Sequence, residues 1–351
     1  MAERIVFDGK QQVRLESFDL PPVRPGEVRV RARVSLMSTG TENIAFNELF
    51  SAGTHWAAWV RYPFHPGYAA VGDVEAVGPG VDHLAPGNTV FVGMPHASHF
   101  VVPAATCATV PSAVDVRDAV WQALAGTAFV GARAASYRLG SAVVIVGAGP
   151  IGQMSTRWAA AAGADRIVVV DTFPSRLELA RAGGATAVID GPIVDRRDDI
   201  IAAVGGQQPP IVIDCTGDAN VLAGALDLVG FRGRVVVLGD TGSPEDQHLT
   251  SDLITRGITI VGAHAGHLAT VLDDDVDADP FAVFRPKAAP AAAPEPTGQR
   301  FARLFHRLVA TGRFPLDGLI SHEFAAGDCE QAYKLANTAR DTTMGILFDW
   351  T

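Results

Sequence analysis

Three glycines that follow an apolar run have the spacing of a phosphate-binding turn. Gly147, Gly149 and Gly152 form the pattern GxGxxG between a predicted strand and a predicted helix, in VVIVGAGPIGQM. The first glycine permits the tight turn, the second lets a pyrophosphate approach the backbone, and the third lets helix and strand pack closely. Because the helix N-terminus then faces the phosphates, we predict a dinucleotide site. A structural turn that binds no nucleotide is the alternative.

A carboxylate ends the next apolar run and indicates which dinucleotide binds. Asp171 is the last residue of RIVVVD and follows the glycine pattern at a typical distance. A carboxylate in this place accepts hydrogen bonds from both ribose hydroxyls of NAD and repels the 2′-phosphate of NADP. We therefore predict NAD as the cofactor. Arg176, a little further on, either stacks near the adenine or is an ordinary surface residue.

Two more apolar runs end in small residues, in IDCTGD and VVLGDTG. Ligands of an open α/β sheet lie beyond the carboxyl ends of its strands, so both ends are expected to border the same groove. Cys215 is therefore interpreted as a small wall residue of that groove and not as a nucleophile. The predicted cofactor contacts that complete this set are Pro150, Ile151, Cys215, Thr216, Leu238 and Gly239.

The elements that must position these residues change in character along the chain. Residues 1–118 contain short alternating runs such as VRVRARV, separated by Gly and Pro, and predict a β-rich unit interpreted as a barrel. Residues 119–136 are Ala-rich and predict a helix. From residue 141 onward, apolar strands alternate with helices, which indicates a parallel sheet covered on both faces.

One segment interrupts this alternation. Residues 271–300 are acidic at first and then rich in Pro and Ala, which predicts a long exposed loop, either a lid or an insertion without a role. Residues 301–313 have apolar positions at helical spacing. The tail then predicts one more helix, in GDCEQAYKLANTA, and one more strand, in GILFDW.

The composition limits the partners and the compartment. The 351 residues include 38 Asp or Glu and 28 Lys or Arg, and the net charge of −10 disfavours nucleic acid and anionic membranes. No apolar run reaches the roughly 18 residues of a membrane helix, and the N-terminus lacks the apolar core of a signal peptide. Cys107, Cys215 and Cys329 lie far apart, which excludes a disulfide framework and a four-thiolate zinc site. We expect a cytoplasmic protein with a small-molecule substrate.

The whole chain resembles the medium-chain dehydrogenase/reductase superfamily. The resemblance rests on HPGYAAVGDVEAVGPGV and APGNTVFV, on the glycine pattern, and on LISHEF, EQAYKLA and MGILFDW in the tail. It implies the α/β class, with a GroES-like β-barrel catalytic domain (1–118), a Rossmann NAD-binding domain with a doubly wound parallel sheet (119–265), and a C-terminal part that returns to the catalytic domain (266–351). It also implies an active site in the cleft and a homodimer paired through ITIVGA, or a homotetramer.

The chain departs from the zinc-dependent members of this family at each ligand position. Thr39 stands where the resemblance places the ligand Cys, Tyr68 replaces the ligand His, Ala69 replaces the neighbouring carboxylate, and the later ligand position falls near Gly126. The Cys-rich lobe that holds a structural zinc is missing. Because a catalytic zinc needs about three N, S or O ligands, we predict neither a catalytic nor a structural zinc.

Without zinc, side chains must hold the alcohol oxygen and accept its proton. Tyr68 and Thr39 occupy the vacated ligand positions, and Tyr68 either relays the proton or fills the metal cavity. Glu42 either orients one of them, receives the proton, or fixes a loop through backbone N–H groups. His264, which the resemblance places beside the nicotinamide, is either an acid–base residue or the cap of a turn. The resemblance also implies Thr127 as a cofactor contact.

Several other side chains have competing interpretations. His96 and His99 stand where the structural-zinc lobe is missing and are interpreted as surface residues. Trp56 and Trp59 either lie on a mobile loop that stacks on a sugar or an aromatic ring, or pack in the interior. Further cleft candidates are Ser38, His65, His267 and His322.

Three functions are compatible with these patterns. The favoured one is a zinc-independent, NAD-dependent oxidoreductase that acts on a secondary alcohol. STGTE with HPGY is similar to a zinc-lacking branch that includes bacteriochlorophyllide hydroxyethyl dehydrogenase, and the tail is similar to sugar, cyclitol or secondary-metabolite dehydrogenases. The second is a quinone- or enone-type reductase, against which Asp171 counts because such members usually prefer NADPH. The third is a nucleotide-binding protein without chemistry, in which the zinc ligands have been lost.

Overall fold

The computed structural model of the chain describes residues 1–268 and 298–351. The loop predicted over 271–300 lies outside the described residues except for its last three, where the prediction is wrong because residues 298–300 already form the first turn of a helix.

The strands are β1 (Ala2–Gly9), β2 (Gln12–Phe18), β3 (Glu27–Met37), β4 (Ala70–Val77), β5 (Thr89–Val92), β6 (His99–Pro103), β7 (Ala108–Thr109), β8 (Ala142–Val146), β9 (Arg166–Asp171), β10 (Ala187–Asp190), β11 (Ile211–Asp214), β12 (Arg234–Val237), β13 (Thr259–Gly262), β14 (Ile320–Ala325) and β15 (Gly345–Asp349). The helices are α1 (Thr39–Asn47), α2 (His55–Trp59), α3 (Val116–Ala119), α4 (Gln122–Ala135), α5 (Pro150–Ala161), α6 (Pro174–Ala182), α7 (Arg197–Ala203), α8 (Val221–Leu228), α9 (Asp252–Thr255), α10 (Gly298–Ala310) and α11 (Cys329–Thr338).

The first sheet joins the N-terminal region to the tail. Its strand order is β14-β15-β3-β4-β5-β7, with β6 also paired to β3, while β1 and β2 form a separate hairpin. Val28, Val30 and Ala32 of β3 are buried, whereas Arg31 and Arg33 are exposed. This alternation follows from a sheet with one face on the core and the other in water. The β-rich unit predicted from the sequence is confirmed, and the tail strand β15 lies inside it.

The second sheet is parallel at every pairing and has the order β10-β9-β8-β11-β12-β13. Along β8, Val143 and Ile145 pack into one apolar cluster and Val144 and Val146 into another. Both faces are therefore covered, as predicted from the continuous apolar runs. The strand order reverses between β8 and β11, and a ligand of such a sheet lies at the carboxyl ends of these two strands.

A shared core holds the two sheets together. It contains Leu36 of β3, Leu124 of α4, Trp158 of α5, Phe305 of α10 and Leu347 of β15. These side chains come from the first sheet and from the helices. Because α4 and α5 also contact strands of the second sheet, this core links the two sheets through these helices. Among the described residues, no helix combines the length and the apolar character that crossing a bilayer requires.

Candidate active site

The glycine pattern forms a close turn at the carboxyl end of β8. Gly147 has a φ of +88°, which favours glycine. A Cβ on Gly152 would lie 1.8 Å from the carbonyl oxygen of Gly147, so only glycine lets α5 approach the strand this closely. Gly149 is the N-cap of α5, and Pro150 and Ile151 begin the helix. The turn therefore leaves helix N–H groups available to a pyrophosphate.

The ends of β11 and β12 complete the same groove. A Cβ on Gly239 would lie 2.4 Å from the nitrogen of Gly217 and 2.7 Å from that of Thr216, so these backbones touch. Cys215 Sγ lies 3.6 Å from Ser155 Oγ, and burial raises the pKa of the Cys215 thiol to about 12. A thiol that stays protonated is a poor nucleophile, in keeping with the interpretation of Cys215 as a wall residue.

Asp171 points its carboxylate at the glycine turn. Oδ2 accepts the backbone N–H of Ala148 at 2.5 Å, and Oδ1 accepts that of Phe173 at 2.8 Å. Arg176 is half-buried, with its guanidinium 4.8 Å from the centre of the Phe173 ring and Nη2 donating to the carbonyl of Arg340 at 2.6 Å. Arg176 is thus fixed beside the turn that follows Asp171.

Asp214 is a buried acid that sequence reasoning missed. Its Oδ1 accepts the N–H of Thr216 at 2.9 Å and the hydroxyl of the same residue at 2.6 Å. Oδ2 is buried and has no hydrogen-bond partner among the described residues. Burial raises the pKa of this carboxyl to about 6. A charged residue at the end of the otherwise apolar run PIVID was the signal that could have found it.

A hydroxyl network surrounds Tyr68. The phenol donates to Ser38 Oγ at 2.5 Å and lies 3.4 Å from Thr41 Oγ1. Burial raises the pKa of Tyr68 above its ordinary value, so the phenol is protonated at neutral pH. Its hydroxyl is therefore a hydrogen-bond donor and not a pre-formed base. Thr39, at the start of α1, is half-exposed beside this group.

Glu42 accepts three hydrogen bonds in the interior. The donors are the backbone N–H of Ser38 at 2.7 Å, His96 Nε2 at 3.0 Å and the hydroxyl of Tyr333. The prediction that His96 is a surface residue is wrong: its side chain is fully buried, and its Nδ1 lies 2.8 Å from Ser35 Oγ. A buried imidazole needs partners at both ring nitrogens, and Glu42 and Ser35 supply them.

The remaining candidates are bonded locally. His264 Nδ1 accepts the N–H of Gly266 at 3.0 Å and so caps a short turn. A neutral imidazole with this acceptor carries its proton on Nε2, where it can donate but cannot take up a proton. Thr127 Oγ1 donates to the carbonyl of Ala123 within α4. His65 Nε2 lies 4.0 Å from Glu16 Oε1, and His322 Nδ1 lies 3.0 Å from the hydroxyl of its neighbour Ser321.

The two predicted tryptophans lie on α2. Trp56 is buried, and its ring lies 5.6 Å from that of Trp59, which meets Phe64 edge-on at 5.2 Å. Trp56 belongs to the core cluster of the hairpin and α11. Of the two interpretations, this packing matches the interior one for Trp56.

Comparisons with known proteins agree with this architecture. Residues 24–146 match the family model of the alcohol dehydrogenase GroES-like domain, and residues 150–277 match that of the zinc-binding dehydrogenases. The chain belongs to the medium-chain dehydrogenase/reductase superfamily. Members of this superfamily are oxidoreductases, and the predicted fold class is confirmed.

Curated relatives and solved structures give the degree of similarity. An L-threonine 3-dehydrogenase of Bacillus velezensis is 31% identical over 179 residues, which is 50% of this chain and about half (52%) of that protein. The sorbitol dehydrogenase of Rattus norvegicus is 26% identical over 67% of this chain and 74% of its own length. The structure of an oxidoreductase/dehydrogenase of unknown specificity from Escherichia coli superposes with a TM-score of 0.79 at 18% identity and covers 99% of both chains.

The side chains at the positions where the resemblance places the zinc ligands are not of the kinds that zinc takes in proteins. Thr39, Tyr68 and Gly126 offer none of the His, Cys or carboxylate groups that zinc takes in proteins. A Cβ on Gly126 would lie 3.3 Å from Phe301 Cε1 and 3.6 Å from Leu268 Cδ2, so apolar side chains fill the third position. Across residues 1–268 and 298–351, no three His, Cys, Asp or Glu side chains are grouped as metal ligands.

Contacts that sequence reasoning missed cross from the catalytic to the nucleotide-binding part. His55 Nε2 lies 2.8 Å from Asp240 Oδ2, and Ser51 Oγ lies 3.1 Å from Ser243 Oγ. The segment after α1 and the start of α2 therefore contact the loop that follows β12.

Proposed function

We propose that the chain is a NAD-dependent dehydrogenase of secondary alcohols that works without a catalytic zinc. The observation that carries this proposal is the braced hydroxyl of Tyr68, which stands at a ligand position and is bonded to Ser38. A sugar, a cyclitol or a secondary-metabolite hydroxyl is the proposed substrate, and the similarity to sorbitol dehydrogenase supports a polyol. The reaction partners are a small alcohol and its ketone.

The dinucleotide fits the glycine turn and the carboxylate beside it. The helix N-terminus at Gly149 would hold the pyrophosphate, and Asp171 would accept hydrogen bonds from the adenosine ribose. The negative charge of Asp171 disfavours a 2′-phosphate, and Ala148 and Phe173 already hold this carboxylate in place. When bound, NAD accepts the hydride from the carbinol carbon.

The proton of the substrate hydroxyl leaves separately from the hydride. Tyr68 takes the place of the metal as the group that holds the substrate oxygen, and it donates to that oxygen in the ketone state. In the oxidation direction, the phenol passes the proton on through Ser38 and Thr41, both within hydrogen-bond reach. The half-exposed Thr39 and Thr41 connect this route to water.

Glu42 is a positioning residue in this scheme. Three donors occupy its carboxylate, and only 2% of the residue is exposed, so it orients the Ser38 backbone and does not receive the substrate proton. His264, with Nδ1 occupied by the turn, is not the base in this scheme.

The deciding experiment combines metal analysis, titration with NAD and NADP, and a screen of polyols and cyclitols on the purified protein. The proposal expects less than 0.1 equivalent of zinc, tighter binding of NAD, and turnover that survives chelators. Stoichiometric zinc that chelation removes together with activity would overturn the metal-free mechanism. Reduction of enones with NADPH would replace the alcohol dehydrogenase with a reductase.

Asp171 tests the choice of cofactor. We expect Asp171→Ser to raise the KM for NAD at least tenfold and to bring the kcat/KM values for NAD and NADP within about threefold, because the repulsion of the 2′-phosphate is lost. Asp190→Ser is the matched control, since Asp190 ends the neighbouring strand β10 and is exposed. Unchanged discrimination in Asp171→Ser would rule out the ribose role.

A further inference from the structure

A cavity between α4 and α10 is rich in arginine. Its volume is about 660 Å³, within the roughly 300–1,000 Å³ typical of small-molecule sites. The residues that line it are Phe129, Arg133, Arg300, Phe301, Arg303, Leu304 and Arg307. The four arginines are exposed, whereas Phe301 is buried and Phe129 and Leu304 are half-buried. The cavity thus has an apolar floor and a cationic rim.

The helical spacing places these groups on facing surfaces. Arg300, Arg303 and Arg307 are three and four residues apart on α10, so their side chains share one face. On α4, Arg133 lies four residues after Phe129, so these two side chains share the face of α4 that borders the cavity. Arg303 and Arg307 of α10 thus border one volume, which Arg133 and Arg300 also line while each interacts with another group of the chain.

The charges on this face are unfavourable for the helix alone. Like charges three or four residues apart repel, and cations near a helix N-terminus oppose the helix dipole, yet Arg300 and Arg303 both lie early in α10, whose first turn has no acidic residue. Arg303 and Arg307 form no ion pair with a carboxylate of the described residues. In a chain with a net charge of −10, this is an unusual concentration of positive charge.

We propose that this cavity is a binding site for an organic phosphate, a phosphate monoester on an apolar or aromatic body. Guanidinium groups form paired, charge-assisted hydrogen bonds with phosphate oxygens. Phe129, Phe301 and Leu304 supply the apolar surface for the body of the ligand. The site differs from the dinucleotide groove at the carboxyl ends of β8 and β11 and does not depend on the proposed dehydrogenase activity.

The proposed site adjoins the candidate active site without coinciding with it. Phe301 lines the cavity and also packs on Gly126, near which the resemblance places the third zinc-ligand position. Arg133 follows Gly126 by seven residues on α4, or about 10 Å along the helix axis. A ligand on the arginine rim therefore lies within one small-molecule length of the substrate position.

Titration calorimetry of the protein saturated with NAD tests this proposal, with phenyl phosphate, inorganic phosphate and benzyl alcohol as probes. We expect phenyl phosphate to bind at least fivefold more tightly than inorganic phosphate, benzyl alcohol not to bind, and the phosphate affinities to fall as salt is raised from 50 to 500 mM. Saturation with NAD keeps the probes out of the pyrophosphate position. Absence of phenyl phosphate binding would overturn the proposal.

Charge-neutral variants locate the site. The double variant Arg303→Gln, Arg307→Gln should weaken the binding of phenyl phosphate at least tenfold and leave the affinity for NAD within twofold. The control is Arg33→Gln with Arg313→Gln, which makes the same charge change at exposed positions elsewhere and should change neither affinity. Equal losses in both double variants, or a fall in NAD affinity with the first, would contradict a separate site. A change in sedimentation coefficient without a change in phosphate affinity would instead make this face a subunit contact.

A second readout uses the unmodified chain in case a variant folds poorly. Phenylglyoxal reacts with accessible guanidinium groups, and phenyl phosphate should protect Arg303 and Arg307 at least fivefold while Arg313 stays reactive, as mapped by peptide mass spectrometry. Equal protection of all three, or of none, would contradict the proposal.

Discussion

At the scale of single residues, the candidate site is a network of hydroxyl groups built around a buried carboxylate. Tyr68 and Thr39 were proposed from the sequence because the family resemblance places them at zinc-ligand positions, and Glu42 because it lies three residues after Thr39. His96 and Tyr333 were missed because they are 54 and 291 residues from Glu42 in the chain. Such a distance leaves no local pattern. The backbone of His96 bonds to Ile5 and Pro66, and the packing of α11 on α1 brings Tyr333 to Glu42.

The hydroxyl of Tyr68 gives a prediction at this scale. Tyr68→Phe removes the group that holds the substrate oxygen but keeps the ring, so we expect kcat to fall 10²–10⁴-fold, the usual contribution of a positioned proton-transfer group, with little change in NAD affinity. Stopped-flow measurement of NADH formation and a separate NAD titration check this.

The matched control for Tyr68 is Tyr62→Phe, which removes a phenol whose hydrogen-bond partner among the described residues is the carbonyl of Ala45. We expect its kcat to stay within threefold of the wild type. If Tyr68→Phe retained full kcat, Tyr68 would be a filler of the former metal cavity, and the acid–base scheme would be wrong.

At the scale of elements, the predicted strands and helices are found because their apolar periods are unambiguous. The burial of β8 on both faces and the alternation in β3 both follow from residue type alone. The start of α10 was placed too late, because the Pro- and Ala-rich segment before it gives no helix-start signal. The sequence also could not indicate that α10 faces α4, since the two helices are far apart in the chain.

Helix α10 also carries a buried histidine that makes the fold sensitive to acid. His306 is 1% exposed, its Nε2 has no hydrogen-bond partner among the described residues, and burial lowers its pKa to about 4. The unfolded chain takes up a proton near pH 6.5, whereas the folded chain does so only near pH 4. The free energy of unfolding should therefore fall as the pH drops from about 6.5 to 4.

Chemical denaturation at several pH values tests this role of His306. At pH 4, we expect His306→Gln to recover up to about 3 kcal/mol of the stability that the wild type loses relative to pH 7, because the histidine then carries a proton in the unfolded chain that it takes up only near pH 4 in the folded one. His248→Gln, at an exposed histidine, should leave the pH profile unchanged. Parallel profiles for His306→Gln and the wild type would show that the histidine is not the acid-sensitive group.

At the scale of the whole molecule, the edge of the parallel sheet carries the prediction of a homodimer. Strand β13 is at the end of the strand order, and large apolar side chains near it are exposed: Phe231 by 73%, Leu249 by 62% and Ile254 by 86%. An unprotected apolar edge favours pairing with a second copy. A homotetramer built from two such dimers remains compatible with this edge.

Sedimentation velocity at micromolar concentration tests the association. We predict a dimer or tetramer for the wild type and at least tenfold weaker association for Ile254→Lys. The control is Leu139→Lys, which places the same charge at a 90% exposed residue that is distant in sequence from β13. This variant should sediment like the wild type. A monomeric wild type would refute pairing through β13.

The position of β15 in the first sheet has a consequence for the order in which the protein is made. β15 lies between β14 and β3, Trp350 donates its indole N–H to Ser35 at 2.9 Å, and Tyr333 donates to Glu42. All of these late residues leave the ribosome after every strand of the parallel sheet. The nucleotide-binding half can therefore fold during translation. In the first sheet, β3 lacks its neighbour β15 until the tail has left the ribosome. The nascent chain can thus form the glycine turn after β8 before Tyr333 and Trp350 reach Glu42 and Ser35.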